Sequence, residues 1–428
     1  MSASRPQSQP PASPPTADIG VIGAGPAGLA AALALAQSCS DLDVRIFAPP
    51  FDAALAAADT RTAALIASSL DFLTNLGAWS RVPDTAAALT GIRIIDDLGR
   101  ILRAPEVLFG ASDAGLSAFG VNLPNTDIVT ALRAATGRLP NLAFIPTAAV
   151  TGLQAEPGRV LLSTAEGATH QVRLAVAADG RRSLARAAAG ISVRTRDYPQ
   201  TAIATRFAHT RPHGGISTEF HRPHGPLTTV PLPGRASSLV WVEAPDTARR
   251  LCALPPDDFA DALSERLQGL LGAISDVGPR ATFDLAGLAA DRMGARRIAL
   301  VGEAAHVLPP IGAQGLNMSL RDAAALAECV AAARSAGADI GDDAVLDRYD
   351  AQRRLDVTAR HTAVDLLNRS LLLDLLPVQL ARGVGLHLLA TIPALRRLAM
   401  ESGLANAGPL PALMRRDGGR GHALPQET

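Results

Sequence analysis

The first strong pattern along the chain is an apolar run from Ile19 to Ile22, broken by Gly23, Gly25 and Gly28. It resumes as the Ala/Leu-rich stretch Leu29 to Ala36. This predicts a short buried strand, a tight glycine turn and a helix. Hydropathy alone would let Ile19 to Ala36 pass as a membrane span, but the glycine spacing decides for strand–turn–helix. A second strand is predicted at Asp43 to Phe47. Between Asp179 and Arg297 the pattern changes to short alternating runs rich in Thr, Val and Pro, such as Ser237 to Glu243. Those predict antiparallel strands of a second domain inserted into the first. The apolar strand after Arg297 then returns to the first domain and runs through a Pro/Gly-rich loop into a long helix near Asp322.

The expected organisation follows in order. A disordered tail covers 1–16, and the first part of the nucleotide-binding-type domain covers 17–190, with some second-domain strands within 90–122. The inserted β-sheet domain covers 191–290, the return to the first domain 291–335, C-terminal helices 336–414, and a second disordered tail 415–428. Within the helices the apolar runs, including Leu371 to Leu376, are interrupted by Pro377, Arg382 and Gly383, so none spans a bilayer. Their amphipathic character leaves two options open: packing against the first domain, or a lipid-facing surface.

A chain of 428 residues, 48% hydrophobic and 19% charged, is long enough for two cores and too apolar for disorder. Lys+Arg and Asp+Glu are both 40, so no net field draws in nucleic acid. Cys39, Cys252 and Cys329 lie far apart with no C-x-x-C pair, which speaks against a zinc site or disulfide framework and for a reducing cytosol. His209, His213, His221 and His224 cluster, but at no zinc spacing, so no metal is expected. No signal peptide is read at the start, and a cytoplasmic location is expected.

Gly23, Gly25, Pro26, Ala27 and Gly28 form G-x-G-x-x-G between a strand and a helix. Gly23 permits the turn, Gly25 lets backbone approach a diphosphate, and Gly28 lets helix pack on strand. The helix start offers free N–H groups and a positive dipole end to the phosphates. The acidic residue that usually closes the second strand and holds the adenosine ribose is missing, because Ala48 stands there.

Three further segments add chemistry. Asp59, Arg61, Ala64 and Leu65 are followed by Leu76, Gly77 and Trp79; Arg61 reads either as a cationic partner for phosphate or flavin or as a surface ion pair. Asp179 and Gly180 end a strand, with Ser183 early in the next helix; an ordinary Asp-Gly turn is the alternative. Gly302, Glu303, His306, Pro310, Gly312, Ala313, Gln314, Gly315, Leu316, Asn317 and Met318 follow the last strand, where loop and helix start aim N–H groups at one ligand edge. His306 is open between a general base and a packed side chain.

These segments resemble the UbiH/UbiF family of ubiquinone-biosynthesis hydroxylases, which are class A flavoprotein monooxygenases. The likeness is D-x-R-x-x-A-L…L-G-x-W at 59–79, the Asp-Gly fingerprint at 179–180, and G-D…H…P-I-x-x-Q-G-x-N at 302–317. It extends from Asp18 to about Leu404. The resemblance implies an α/β fold with a Rossmann-like, three-layer FAD-binding domain, an inserted mainly antiparallel β-sheet as roof over the flavin, and a C-terminal helical segment. It implies FAD held by the residues just named together with Asn125, with NADH or NADPH binding transiently as reductant and His306, Pro310 and Gln314 at the reaction site. It implies ring hydroxylation of a prenylated phenol by O2 through a flavin C4a-hydroperoxide. It also brings in contact with other ubiquinone-synthesis proteins and a peripheral position at the inner face of the plasma membrane. Ser319 stands where Gly is common, Glu303 replaces the usual Asp and Thr126 a frequent Arg contact, so Ala48, Thr126 and Glu303 alter three usual FAD contacts. Two rivals stay open: another small aromatic substrate, or a non-catalytic member of a ubiquinone-synthesis complex.

Overall fold

The computed structural model describes residues 16–98, 105–310, 314–372, 385, 387–389, 391–392, 394–397 and 409–415. Its spine is a sheet in which Leu142–Pro146, Val44–Ala48, Thr16–Ile22, Thr169–Ala177 and Ile298–Leu300 lie side by side and parallel. These strands are aliphatic on consecutive positions because both faces of the sheet are covered. The helix Pro26–Ser38 covers one face, with every residue from Gly28 to Ala36 buried. Its alanines let the helix Gln314–Ser335 approach closely on the far side. On the other face, the antiparallel ribbon Val150–Glu156 and Arg159–Thr164 continues from Thr169–Ala177, and Leu162 and Val172 close over Gly20.

The second sheet runs in the order His306–Val307, Ala281–Ala290, Val193–His209, Ala236–Glu243, Leu227–Leu232, Ile216–His221, Gly91–Asp96, Val107–Gly110. All neighbours are antiparallel except Ile216–His221 with Gly91–Asp96, which is parallel. Alternation gives this sheet two characters. Ile203, Phe207, Phe220, Leu227, Leu239 and Trp241 face outward beneath the helices Pro245–Ala253 and Pro256–Arg266, sealed by Phe259 and Leu263. The intervening positions face the first domain.

Some second-domain strands are expected within 90–122. Gly91–Asp96 and Val107–Gly110 do join that sheet, but Gly120–Pro124 pairs with Thr62–Ile66 and Ala87–Leu89 in a separate three-stranded sheet. A Cβ on Gly120 would lie 1.9 Å from the Leu65 carbonyl oxygen, so only glycine allows that close pairing.

The helix Asp343–Leu372 packs on Gln314–Ser335 and on the strand Ala281–Ala290. Residues 409–414, expected within the helical segment, form together with Arg415 a strap with one 3-10 turn, Ala412–Met414. Pro409 and Pro411 lack the N–H that a helix interior needs. The strap docks on the helix Ala67–Asn75, where Asn75 Nδ2 donates to the Leu413 and Arg415 carbonyls and Met414 is buried. Residues 373–384 and both expected tails lie outside the described residues, save Thr16 and Arg415. Among the described residues, no helix is long and apolar enough to cross a membrane.

Candidate active site

The three glycines of the first turn have different surroundings. Gly23 sits at φ +105° with its Cβ position 2.4 Å from the Ala178 oxygen, and the Cβ position of Gly28 is 2.1 Å from the Gly23 oxygen. Both are glycine because backbone meets backbone there. Gly25 has ordinary φ, is exposed, and a Cβ on it would meet nothing within 4 Å. The protein therefore leaves open space where a diphosphate would lie. Pro26 opens the helix, which has no side-chain cap and no acidic residue in its first turn, so its first N–H groups stay available to an anion.

Two buried acceptors lack partners, one beside this turn and one at the start of the helix Asn125–Thr136. Asp179 receives the Ala185 N–H on Oδ2 at 3.1 Å, while its Oδ1 is buried without a partner; Gly180 beside it has φ +81°. Asn125 donates its backbone N–H to the Arg61 carbonyl at 3.1 Å, and its Oδ1 is likewise buried and unpartnered. Unpaired acceptors are costly unless a donor arrives, and sugar and ribityl hydroxyls are such donors. The residues present therefore fit a dinucleotide with a polyol chain. At Ala48 the side chain is methyl and the carbonyl receives the Thr147 N–H, so no carboxylate serves a ribose there.

Arg61 takes the ion-pair reading. It reaches Asp59 through Nε and Nη2, each at 2.8 Å, and lies over the Phe283 ring at 5.3 Å. The exposed Glu303 carboxylate is close enough to act on the same guanidinium. Phe283 belongs to the inner face of the second sheet, so this corner joins cofactor region and sheet. More links follow along that seam: Thr62 Oγ1 donates to Ser238 Oγ at 2.8 Å, Asn122 Nδ2 to the Pro231 carbonyl at 2.9 Å, and Arg206 to the Asp59 and Thr60 carbonyls. Register then places half-buried Val230, Val240, Thr228 and Ile94 on the same inner face.

The last segment is held by cross-links invisible in its motif. Gly302 has φ +65°, and its Cβ position is 3.0 Å from both the Ala27 Cβ and the Ser319 Oγ, so the loop squeezes between two helices. Asn317 accepts the Ile66 N–H at 3.1 Å and donates to the Ala64 carbonyl at 2.8 Å. It thereby ties the loop helix to the Thr62–Ile66 strand. Met318 is buried, Leu316 packs on the core, and Gly315 and Pro310 are exposed. Gly312 and Ala313 lie outside the described residues. Gln314 starts the helix and accepts a hydrogen bond from Arg360. Asn317→Ala leaves the half-buried Ile66 N–H and Ala64 carbonyl without this partner, and should cost about 1–3 kcal/mol in denaturant unfolding while raising flavin release.

His306 proves to be a packed side chain. It is 1% exposed, and its Nε2 meets Asp322 Oδ2 at 2.6 Å. Asp322 also receives the Gly302 N–H at 3.0 Å and Arg353 Nε at 2.8 Å. Burial works to raise the Asp322 pKa, but the His306 and Arg353 charges and hydrogen bonds outweigh it and hold the carboxyl below its usual range. Arg353, Arg321 and Arg360 all bond Asp356. This network was missed in the motifs; its signal was Arg321-Asp322 set among apolar residues of a buried helix.

Three histidines of the cluster read in the sequence also have protein partners. His209 bonds the Arg211 carbonyl and Ser237, His213 the Leu232 carbonyl and Gly215 N–H, and His221 the Glu219 carboxylate at 2.8 Å. Among the described residues no group of three or more side chains could hold a metal ion.

With that geometry established, comparison with known proteins is informative. A family model described as FAD binding domain matches residues 16–363. The ubiquinone hydroxylase UbiL of Rhodospirillum rubrum is 35% identical over 94% of this chain and 92% of its own. The 3-demethoxyubiquinol 3-hydroxylase of Escherichia coli is 28% identical over 90% of this chain and 98% of its own. Among solved structures, p-nitrophenol 4-monooxygenase PnpA from Pseudomonas putida superposes with TM-score 0.74 at 20% identity, covering 92% of this chain and 100% of that one. HpxO of Klebsiella pneumoniae, complexed with FAD and uric acid, gives TM-score 0.70 at 19% identity over 90% and 96%. At those identities the two structures speak for the fold.

Proposed function

The chain belongs to the FAD-binding-domain family that includes the ubiquinone hydroxylases and is an FAD-dependent monooxygenase; on that premise we propose that its substrate is a prenylated phenol of ubiquinone synthesis, hydroxylated on the ring. The observation that carries this reading is the half-buried apolar patch of Val230, Val240 and Ile94 on the inner face of the second sheet, bordered there by Thr228, Glu219, Ser238 and Arg206 and continuous with the cofactor region through Phe283 and Arg61. Such a face accepts an aromatic ring with an aliphatic substituent and keeps water from it.

The flavin, once bound, supplies electron transfer from NAD(P)H and activation of O2. This chain's residues do the rest. The helix start at Gly25 and Pro26 would bind the diphosphate. Asp179 Oδ1 and Asn125 Oδ1 would accept hydroxyl hydrogen bonds from the polyol part, and Glu303 would offer a longer carboxylate arm for the same purpose. The start of the Gln314–Ser335 helix would offer its positive end to the negative charge of a reduced flavin. Gln314, fixed by Arg360, and Pro310 border the reaction region. His306 acts through Asp322, holding the Gly302 loop in shape. Contact with a membrane surface and with other ubiquinone-synthesis proteins belongs to the same proposal, since a prenylated phenol resides in lipid.

Deleting the gene and profiling quinone intermediates tests the reading. One under-hydroxylated prenylphenol should accumulate, and its missing hydroxyl names the ring position. An unchanged profile would direct attention to another small aromatic substrate; purified protein that is colourless would point to a non-catalytic role.

A further inference from the structure

A carboxylate and an imidazole interrupt the apolar patch on the inner face of the second sheet. On the strand Ile216–His221, Phe220 points outward into the cluster with Leu227 and Trp241, so Glu219 and His221 on either side of it point toward the first domain. Register sets Glu219 between Ile94 and Thr228, with Val240 beyond Thr228, in one row across the sheet. The side chains of Glu219 and His221 are 13% and 4% exposed, and Glu219 Oε1 meets His221 Nε2 at 2.8 Å. A carboxylate only accepts, so that ring nitrogen carries the proton and donates. This one bond satisfies neither residue. Among the described residues, Glu219 Oε2 has only the Thr228 hydroxyl, 3.4 Å away and beyond a normal O–H···O length, while His221 Nδ1 is buried without a partner. Arg206, on the same face, gives its N–H groups to the Asp59 and Thr60 carbonyls instead.

Resting on the reading that this face seats a prenylated phenol, we propose that Glu219 binds the phenol hydroxyl of the substrate and that His221 is its positioning residue. A carboxylate set among aliphatic side chains weakens the fold unless its acceptors are filled, and a pair of this kind gains little stability over apolar residues of similar size. Its use is orientation, because ligand sites are mostly apolar with a few polar groups that fix the pose. A ring lying against Ile94 and Val240 brings its O–H to Glu219 Oε2, the oxygen that Thr228 does not fill. Hydrogen bonds to a charged acceptor are shorter than neutral ones and about twice as strong. His221 holds the other oxygen, so the carboxylate keeps one orientation. With the phenol oxygen pinned, the ring carbon offered to the cofactor is set by distance around the ring, which an aliphatic tail in an apolar groove cannot fix alone. The same bond draws the O–H proton toward Glu219 and raises electron density at the carbons ortho and para to the oxygen, where hydroxylation needs a nucleophile.

The test uses the full-length, FAD-loaded protein and two probes, 2-prenylphenol and its methyl ether, which lacks the O–H donor. Binding is read from the change each causes in flavin absorbance. The native protein should bind the phenol about 10-fold or more tightly than the ether. Glu219→Gln should bring that ratio down to about threefold or less at unchanged flavin content, since a neutral acceptor makes the weaker bond. His221→Leu should lower the ratio in the same way, and His221→Gln, which can still donate to the carboxylate, should restore it. A merely structural role for either residue would weaken both probes together and leave the ratio alone. Equal affinities for the two probes in the native protein, or an unchanged ratio in Glu219→Gln, would overturn the assignment while leaving a prenylated ring as the substrate. If neither probe perturbs the flavin, the substrate reading fails and takes this assignment with it.

Discussion

Gly25→Val is expected to yield a folded protein that has lost its flavin. Nothing of the protein lies within 4 Å of the Cβ position at Gly25, and its φ of −71° suits any residue. The apo fold should therefore keep its melting temperature within about 1 °C, since no packed contact changes. The branched side chain would fill the space in front of the helix start, where the diphosphate must approach to reach the free N–H groups. Flavin affinity should fall at least ~100-fold, which corresponds to about 3 kcal/mol. Absorbance of the purified variant and FAD titration by fluorescence would measure it. Gly28→Ala is the contrasting control. Its new methyl would meet the Gly23 oxygen at 2.1 Å, so fold and flavin should fail together. A Gly25→Val protein with normal flavin content would remove the diphosphate from this turn.

The second large effect is expected from Asp322→Asn. This carboxylate is fully buried, pairs with the Arg353 guanidinium and bonds His306, while capping the Gly302 N–H. Asn keeps the size and one acceptor but removes the charge, leaving Arg353 buried against Asp356 alone. Breaking a buried pair from one side typically costs about 3–5 kcal/mol, so urea unfolding should shift by that amount. The pH dependence has a definite sign. Asp322 and Asp356 both sit below the usual carboxylate range, although burial alone would raise them; in Asp356 the Arg353, Arg321 and Arg360 charges bring it down. Groups with lowered folded pKa contribute stability that is complete above their unfolded value, about 3.9, and that is lost as pH falls toward the folded value. The gap between the native protein and Asp322→Asn should thus stay constant near neutral pH and narrow only below about pH 4. A gap independent of pH down to pH 2 would show that Asp322 carries no ionic stabilisation. His306→Gln should destabilise by the same route, with turnover per bound flavin nearly unchanged; a large loss of turnover in a stable protein would restore the histidine as a catalytic residue.

How far such behaviour could be foreseen varies from residue to residue. The glycine turn was legible because strand, turn and helix are contiguous and each residue type is dictated by local backbone geometry. Arg61 was legible only as a pair of alternatives: the neighbouring Asp59 made an ion pair available, and nothing local could say whether a ligand would compete for it. Asn317 read as part of a flavin-loop motif, yet its amide is spent on Ala64 and Ile66, some 250 residues away in sequence. His306 too was legible only as a base or a packed side chain, because its partner, Asp322, is sixteen residues on and meets it only when the loop folds back on its helix.

What the amino-acid order determined by itself was the set of local commitments: the buried parallel strands, the phosphate-ready helix start, the alternating strands of the inserted sheet, and the absence of a carboxylate at position 48. Each follows from periodicity, backbone sterics or the chemistry of one side chain. Tertiary structure alone decided which acceptors stay unpaired, that Gly120–Pro124 joins a small separate sheet, that residues 409–415 turn back as a strap, and that three arginines converge on two aspartates. Those outcomes depend on which distant groups share a low-dielectric space, and charge and hydrogen-bond balance there is a sum over segments that no single stretch of chain contains.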